Sequence, residues 1–141
     1  MQKMTNEETR SFISHKTRTG KLAVVRKDGR PLVTPIWFAL DGDDIVFMTF
    51  ESSGKGLAVR RDPRVAMVVD EEVPPYSFVL VEGTVSISED PIELLHWATV
   101  IGRRYMGADR ADEYGKRNAV PGELLVRIHP TRIVAMADVS D

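Results

Sequence analysis

The chain has 141 residues, 43% of them apolar and 28% charged, which is the balance of a soluble globular protein and enough for one domain with a core of its own. A formal net charge of −2 argues against nucleic acid as a partner, because domains that bind it are distinctly basic. The absence of cysteine excludes disulfides, thiol nucleophiles and cysteine metal sites, and fits a reducing cytoplasm. Neither the apolar centre of a signal peptide nor a membrane-length apolar run is present, so the expectation is a cytoplasmic protein without membrane insertion.

In chain order, Thr5-Asn6-Glu7-Glu8 has capping-box spacing and predicts a helix over about 6–16. After Gly20 the pattern turns to strand: "KLAVVRK", a turn at "DGRP", then "LVTPIWFAL", a turn at "DGDD", and "IVFMTF". Three strands joined by short loops predict an antiparallel meander. "SSGKGLAVRR" reads as a short helix stopped at Asp62-Pro63, since proline cannot continue it. "VAMVVD" and "YSFVLVEGTVSI" are further strands, separated by "EEVPP". Asp90-Pro91 supplies an N-cap and a proline at the first helical position, opening a helix to about Tyr105. A polar helical stretch, "DRADEYGKR", precedes a last strand, "ELLVRIHPTRIVAMA", bent at Pro130. The sum is a mainly β, single-domain chain: six antiparallel strands with peripheral helices in a closed or half-closed barrel.

One short stretch carries the most chemistry. Ser52-Ser53-Gly54-Lys55 lies where a strand gives way to a helix, and a helix N-terminus offers unpaired N–H groups to an anion. The hydroxyls of Thr49, Ser52 and Ser53 add hydrogen bonds and Lys55 adds full charge. The same residues also read as plain serine capping beside a solvated lysine. Arg60, Arg61 and Arg64 at the far end suit the negative pole of the helix dipole. His15, His96 and His129 show no metal spacing, no nucleophile elbow is present, and no Ser-His-Asp set suggests itself. Asp41, Asp43 and Asp44 read as a turn, since the glutamate that would complete a cation loop is missing. Trp37 and Phe38 are aromatics of the core or of an interface, or the wall of a ring-shaped ligand. An anion anchor without an acid, base or nucleophile suits cofactor-based redox chemistry, in which the cofactor carries the reaction.

The patterns G-x-P-x-x-x-P-x-W-F (Gly29 to Phe38), S-x-K (Ser53 to Lys55), R-D-P-R (Arg61 to Arg64) and V-E-G-T (Val81 to Thr84) resemble, in order and spacing, the split β-barrel superfamily of pyridoxamine phosphate oxidase. Within it the chain is more similar to the branch of reductases that use the deazaflavin coenzyme F420. The resemblance implies an FMN-binding-like split barrel forming a homodimer, with cofactor sites at the subunit interface. It implies that Ser53 and Lys55 hold the cofactor phosphate, with Thr49 beside it, and that Pro35, Ile36 and Trp37 line the ring system. It implies that Arg60 and Arg61 face the phosphate or the oligoglutamate tail, and that Tyr76 and Ser77 approach from the other subunit. Arg103 and Arg104 read as a solvated helix end or as contacts to that tail.

Two departures separate the branches. FMN-using oxidases carry basic residues along the second strand, whereas "VTPIWFAL" has none. Their C-terminal arginine- and histidine-bearing motif for pyridoxal phosphate has no clear counterpart in "LLVRIHPTRIVAM". Three functions follow from the resemblance: an F420-dependent reductase of a small organic acceptor such as a quinone, an enone or a tetrapyrrole; an FMN-binding oxidoreductase of the same fold; or a cofactor-binding carrier without catalysis.

Overall fold

The computed structural model describes all residues from Met1 to Asp141. The elements are β1 (Gln2–Lys3), α1 (Asn6–Ile13), β2 (Gly20–Val25), β3 (Pro31–Ile36), β4 (Ala39–Asp41), β5 (Asp44–Phe50), α2 (Gly54–Arg61), β6 (Arg64–Glu71), β7 (Ser77–Ser88), α3 (Pro91–Met106), a 3-10 turn (Ala108–Arg110), α4 (Ala111–Asn118) and β8 (Glu123–Ala137). The strands form one antiparallel sheet in the order β3-β2-β6-β7-β8-β5-β4, with β1 paired to β8. This is the split barrel, mainly β with helices around it.

The count is eight strands rather than six. One extra strand is β1, too short for any periodicity to show. The other arises because "LVTPIWFAL" is not continuous: β3 stops at Ile36 and β4 begins at Ala39. The expected meander is therefore absent. β2 and β3 do form a hairpin, but β4 and β5 pair with each other at the opposite end of the sheet, where β5 joins β8. Helix α1 ends at Ile13, short of the expected Lys16, and its capping box between Thr5 and Glu8 is formed at both hydrogen bonds. No helix is long and apolar enough to cross a membrane.

Strand alternation builds the barrel interior. Leu22, Val24, Phe38, Ile45, Phe47, Met67, Val69, Val79, Val81, Leu124, Val126 and Ile128 are all almost completely buried in one cluster. The two long strands tie the ends together. The first half of β8 pairs with β5 and with the end of β7, and the second half with β1 and the start of β7, across a register shift at Glu82/Gly83 where Gly83 faces Pro130. The other face of β4, β5 and β8 is covered by α3, which packs Leu94 and Ile101 on Ala39, Val46 and Leu125. A cavity forms along this second seam, between sheet and helix.

Candidate cofactor site

β5 delivers Thr49 and Phe50 to the start of α2. The Thr49 hydroxyl lies 2.7 Å from that of Ser53, and Ser53 caps α2 by accepting the Gly56 N–H at 3.0 Å. Gly56 is required by this turn, because a β-carbon there would stand 2.4 Å from the Phe50 carbonyl oxygen. Ser53 thus performs the capping that its position suggests, and the next residue but one, Lys55, is turned towards the sheet–helix seam.

There Lys55 lines a cavity of about 260 Å³ together with Pro35, Ile36, Trp37, Met48, Ala98, Ile101 and Asn118. The structure therefore brings together four of the residues named from the sequence: Pro35, Ile36, Trp37 and Lys55. Lys55 is the cavity's single cation, and it enters none of the ion pairs that occupy its neighbours. Apolar and aromatic walls with one cation suit a planar ring carrying an anionic group.

The other named residues are placed differently. Arg60 pairs with Glu89 at 3.2 Å, and Arg61 donates to the Val25 carbonyl, so within the protomer both are engaged away from the cavity rather than facing an anion in it. Arg64 forms a two-point bond with Asp62, which holds the Asp62 carboxyl down at about 2. Tyr76 adopts a left-handed backbone (φ 59°), and its carbonyl receives the Val139 N–H. Ser77 lines a separate groove with Phe12, His15 and Arg18. Neither belongs to the Lys55 cavity of its own subunit.

Several residues at the cavity were not foreseen. Met48, Ala98, Ile101 and Asn118 line it, and Tyr105 stacks on Trp37 with ring centres 5.0 Å apart and planes 4° apart. Arg104 is neither a solvated helix end nor turned to a ligand. Half-buried, it donates to the carbonyls of Lys16 (2.9 Å), Phe38 (2.8 Å), Ile13 (2.8 Å) and Arg18 (3.3 Å). Only the helical period of "PIELLHWATVIGRRYM" pointed to an inward face on α3.

A second correction concerns His129. Its Nε2 lies 2.8 Å from the Ser86 hydroxyl and its Nδ1 3.3 Å from Asp44, so a Ser-His-Asp chain does assemble, from three strands. Ser86 is still paired with Arg127 inside β7, not at the sharp strand-to-helix turn that exposes a nucleophile beside oxyanion donors. Asp44 also lies 3.7 Å from Arg127, which pairs with Asp41 at 2.6 Å. The chain is a surface network across β4, β5, β7 and β8.

Comparison with known proteins agrees with this fold. The sequence profile described as pyridoxamine 5'-phosphate oxidase matches residues 5–137. A crystal structure of the conserved hypothetical protein Rv2991 from Mycobacterium tuberculosis is 27% identical, with a TM-score of 0.85 over 97% of this chain and 87% of that one. An F420 reductase is 28% identical, with a TM-score of 0.67 over 87% of this chain and 94% of the other. HutZ, the heme storage protein of Vibrio cholerae, shares the fold at 17% identity and a TM-score of 0.75, over 96% of this chain and 98% of that one. Among proteins of curated function, none matches. The fold is shared by proteins as different as an F420 reductase and a heme storage protein. The chain belongs to the pyridoxamine 5'-phosphate oxidase family.

Proposed function

We propose that this protein is a homodimeric, cytoplasmic F420-dependent oxidoreductase that passes hydride from the reduced deazaflavin to a small organic acceptor. The observation that carries the reading is the cavity in which an unpaired cation, Lys55, stands across from Trp37, Pro35 and Ile36. Lys55 would hold the phosphate, assisted by Ser53 and Thr49 at the start of α2, while Trp37 and the backbone of Pro35 and Ile36 would face the ring. The bound cofactor supplies a hydride, so the protein needs to bind, orient and shield rather than furnish a nucleophile. Deazaflavin is favoured over FMN because β3 and the link to β4 carry no basic residue from Leu32 to Leu40. The 28% identity to an F420 reductase supports the same choice.

The sheet's outer surface supports the homodimer. Ala66 and Val68 on β6 and Leu80 on β7 alternate with buried neighbours and remain partly exposed, and Phe78 on β7 with Val134 and Met136 on β8 are partly exposed beside them. Val68 pairs with Leu80, Leu80 with Val134 and Phe78 with Met136, which makes the apolar patch continuous across three strands. A second copy on this face would remove it from water, and Tyr76 and Ser77, at the start of β7, would reach the partner's site from there.

Titration of the purified protein with F420 and with FMN tests the reading. Binding of F420, with turnover of its reduced form on a panel of quinones, enones and biliverdin, is expected. Binding of FMN alone contradicts the deazaflavin assignment, and F420 binding without turnover makes the protein a carrier.

A further inference from the structure

The break between β3 and β4 is the one place where the sequence pattern promises strand and the chain refuses it. It is also where Trp37 enters the cavity. The residues around the break explain its shape. The Phe38 N–H donates to the Tyr105 hydroxyl at 3.2 Å, and that hydroxyl donates to the Arg18 carbonyl at 2.8 Å. The Phe38 carbonyl accepts from Arg104, whose guanidinium also stacks over the rings of Phe38 (4.5 Å) and Tyr105 (4.9 Å). Both main-chain polar groups of Phe38, a fully buried residue, are thus satisfied by α3 rather than by a neighbouring strand. The Tyr105 ring lies flat against the Trp37 indole, with Tyr114 tilted at 6.1 Å.

The helices are set closely enough for this by two glycines. A β-carbon on Gly102 would stand 2.7 Å from Cβ of Tyr114, and one on Gly115 would stand 2.2 Å from the Thr99 hydroxyl. The α3–α4 contact therefore tolerates no side chain at either position, and it delivers Tyr105 and Tyr114 together to the indole.

We propose that Tyr105, supported by Arg104, is a positioning residue of the cavity: it holds the Phe38 backbone with its hydroxyl and the Trp37 indole with its ring, so that the ring wall exists before any ligand arrives. This rests on the reading of the cavity as a cofactor site. Pre-set walls matter for hydride transfer because the reacting atoms must meet at close range, and ring placement errors of about 1 Å lower rates up to roughly 100-fold. Burial raises the pKa of the Tyr105 hydroxyl above its ordinary value, which keeps the donor protonated.

The test separates the clasp from the cofactor. In the full chain without ligand, the indole N–H resonance of Trp37, assigned against Trp97 with W37F and W97F, reports the wall directly, as does acrylamide quenching of Trp37 in a W97F background. Tyr105→Phe keeps the stack and loses both hydrogen bonds; Tyr105→Leu loses both features. The expected result is a shifted Trp37 resonance and increased quenching in Tyr105→Phe, larger in Tyr105→Leu. Affinity for F420 should become about tenfold weaker in Tyr105→Phe, the scale of one lost contact. Val24→Ala, a barrel-core variant, should lower Tm without moving the Trp37 signals, and Arg104→Lys should restore part of the wall that Arg104→Met loses. Unchanged Trp37 signals in both Tyr105 variants overturn the proposal whatever the cofactor result. Shifted signals in a protein that binds neither F420 nor FMN even as wild type overturn the cofactor reading instead and leave the clasp standing.

Discussion

Lys55 stands in the third residue of an ordinary capped turn, and what distinguishes it is the company it lacks. Arg60 and Arg64 have carboxylates within 3.2 Å, and Arg61 has a backbone carbonyl, whereas Lys55 is left to the cavity. Lys55→Ala should therefore weaken F420 binding by about 1.5–3 kcal/mol, the scale of a charge-assisted hydrogen bond, with Tm unchanged. Calorimetric titration measures this, and equal affinity would remove Lys55 from the site. Asp62 makes the contrasting case. The hydrogen bonds from Arg64 lower its pKa from 3.8 to about 2, so the pair stabilises the folded chain above the unfolded value and is lost as pH falls through the folded one. The Tm difference between wild type and Asp62→Asn should be full above about pH 4 and vanish towards pH 2, as followed by thermal melts across that range. At this scale the sequence was legible where chemistry is local: Ser53, Gly54 and Lys55 lie within three positions. It was silent about the stacking of Tyr105 and misplaced Arg104, whose partners lie 66 to 91 residues away.

Most elements could be read from periodicity and punctuation. The Thr5/Glu8 box, the stop at Asp62-Pro63 and the Asp90-Pro91 start each fall where the chain turns. The misreading was "LVTPIWFAL", because an apolar run of that length satisfies a strand pattern and nothing local announces that a helix will take over the hydrogen bonds of Phe38. Pairing was equally hidden: β4 joins the sheet at the edge opposite β3, although only two residues separate them. The turn into α2 gives a direct check. Gly56→Ala places a β-carbon against the Phe50 carbonyl oxygen, a rigid neighbour, and should cost about 1–3 kcal/mol in chemical denaturation. A neutral Gly56→Ala would mean that the strand end can move, and with it the anchor for Lys55.

Across the whole molecule, two faces of one sheet have different tasks. The inner face closes the barrel core, while β4, β5 and β8 lend their other face to α3 and so create the seam in which the cavity lies. In the proposed homodimer, a second copy would cover the patch around Val68, Leu80 and Val134. Leu80→Glu puts a charge in that patch and should convert a dimer into a monomer in analytical ultracentrifugation while the circular dichroism spectrum is kept; a persistent dimer would place the interface elsewhere. If the site is shared between subunits, the same variant should also lose cofactor affinity. The central claim is that the Lys55–Trp37 cavity binds a deazaflavin, and parallel equilibrium titration of the wild-type protein with F420 and FMN tests it most directly. The account expects saturable binding of F420, weakened by Lys55→Ala, with FMN bound far more weakly; saturable FMN binding with none of F420 would contradict it.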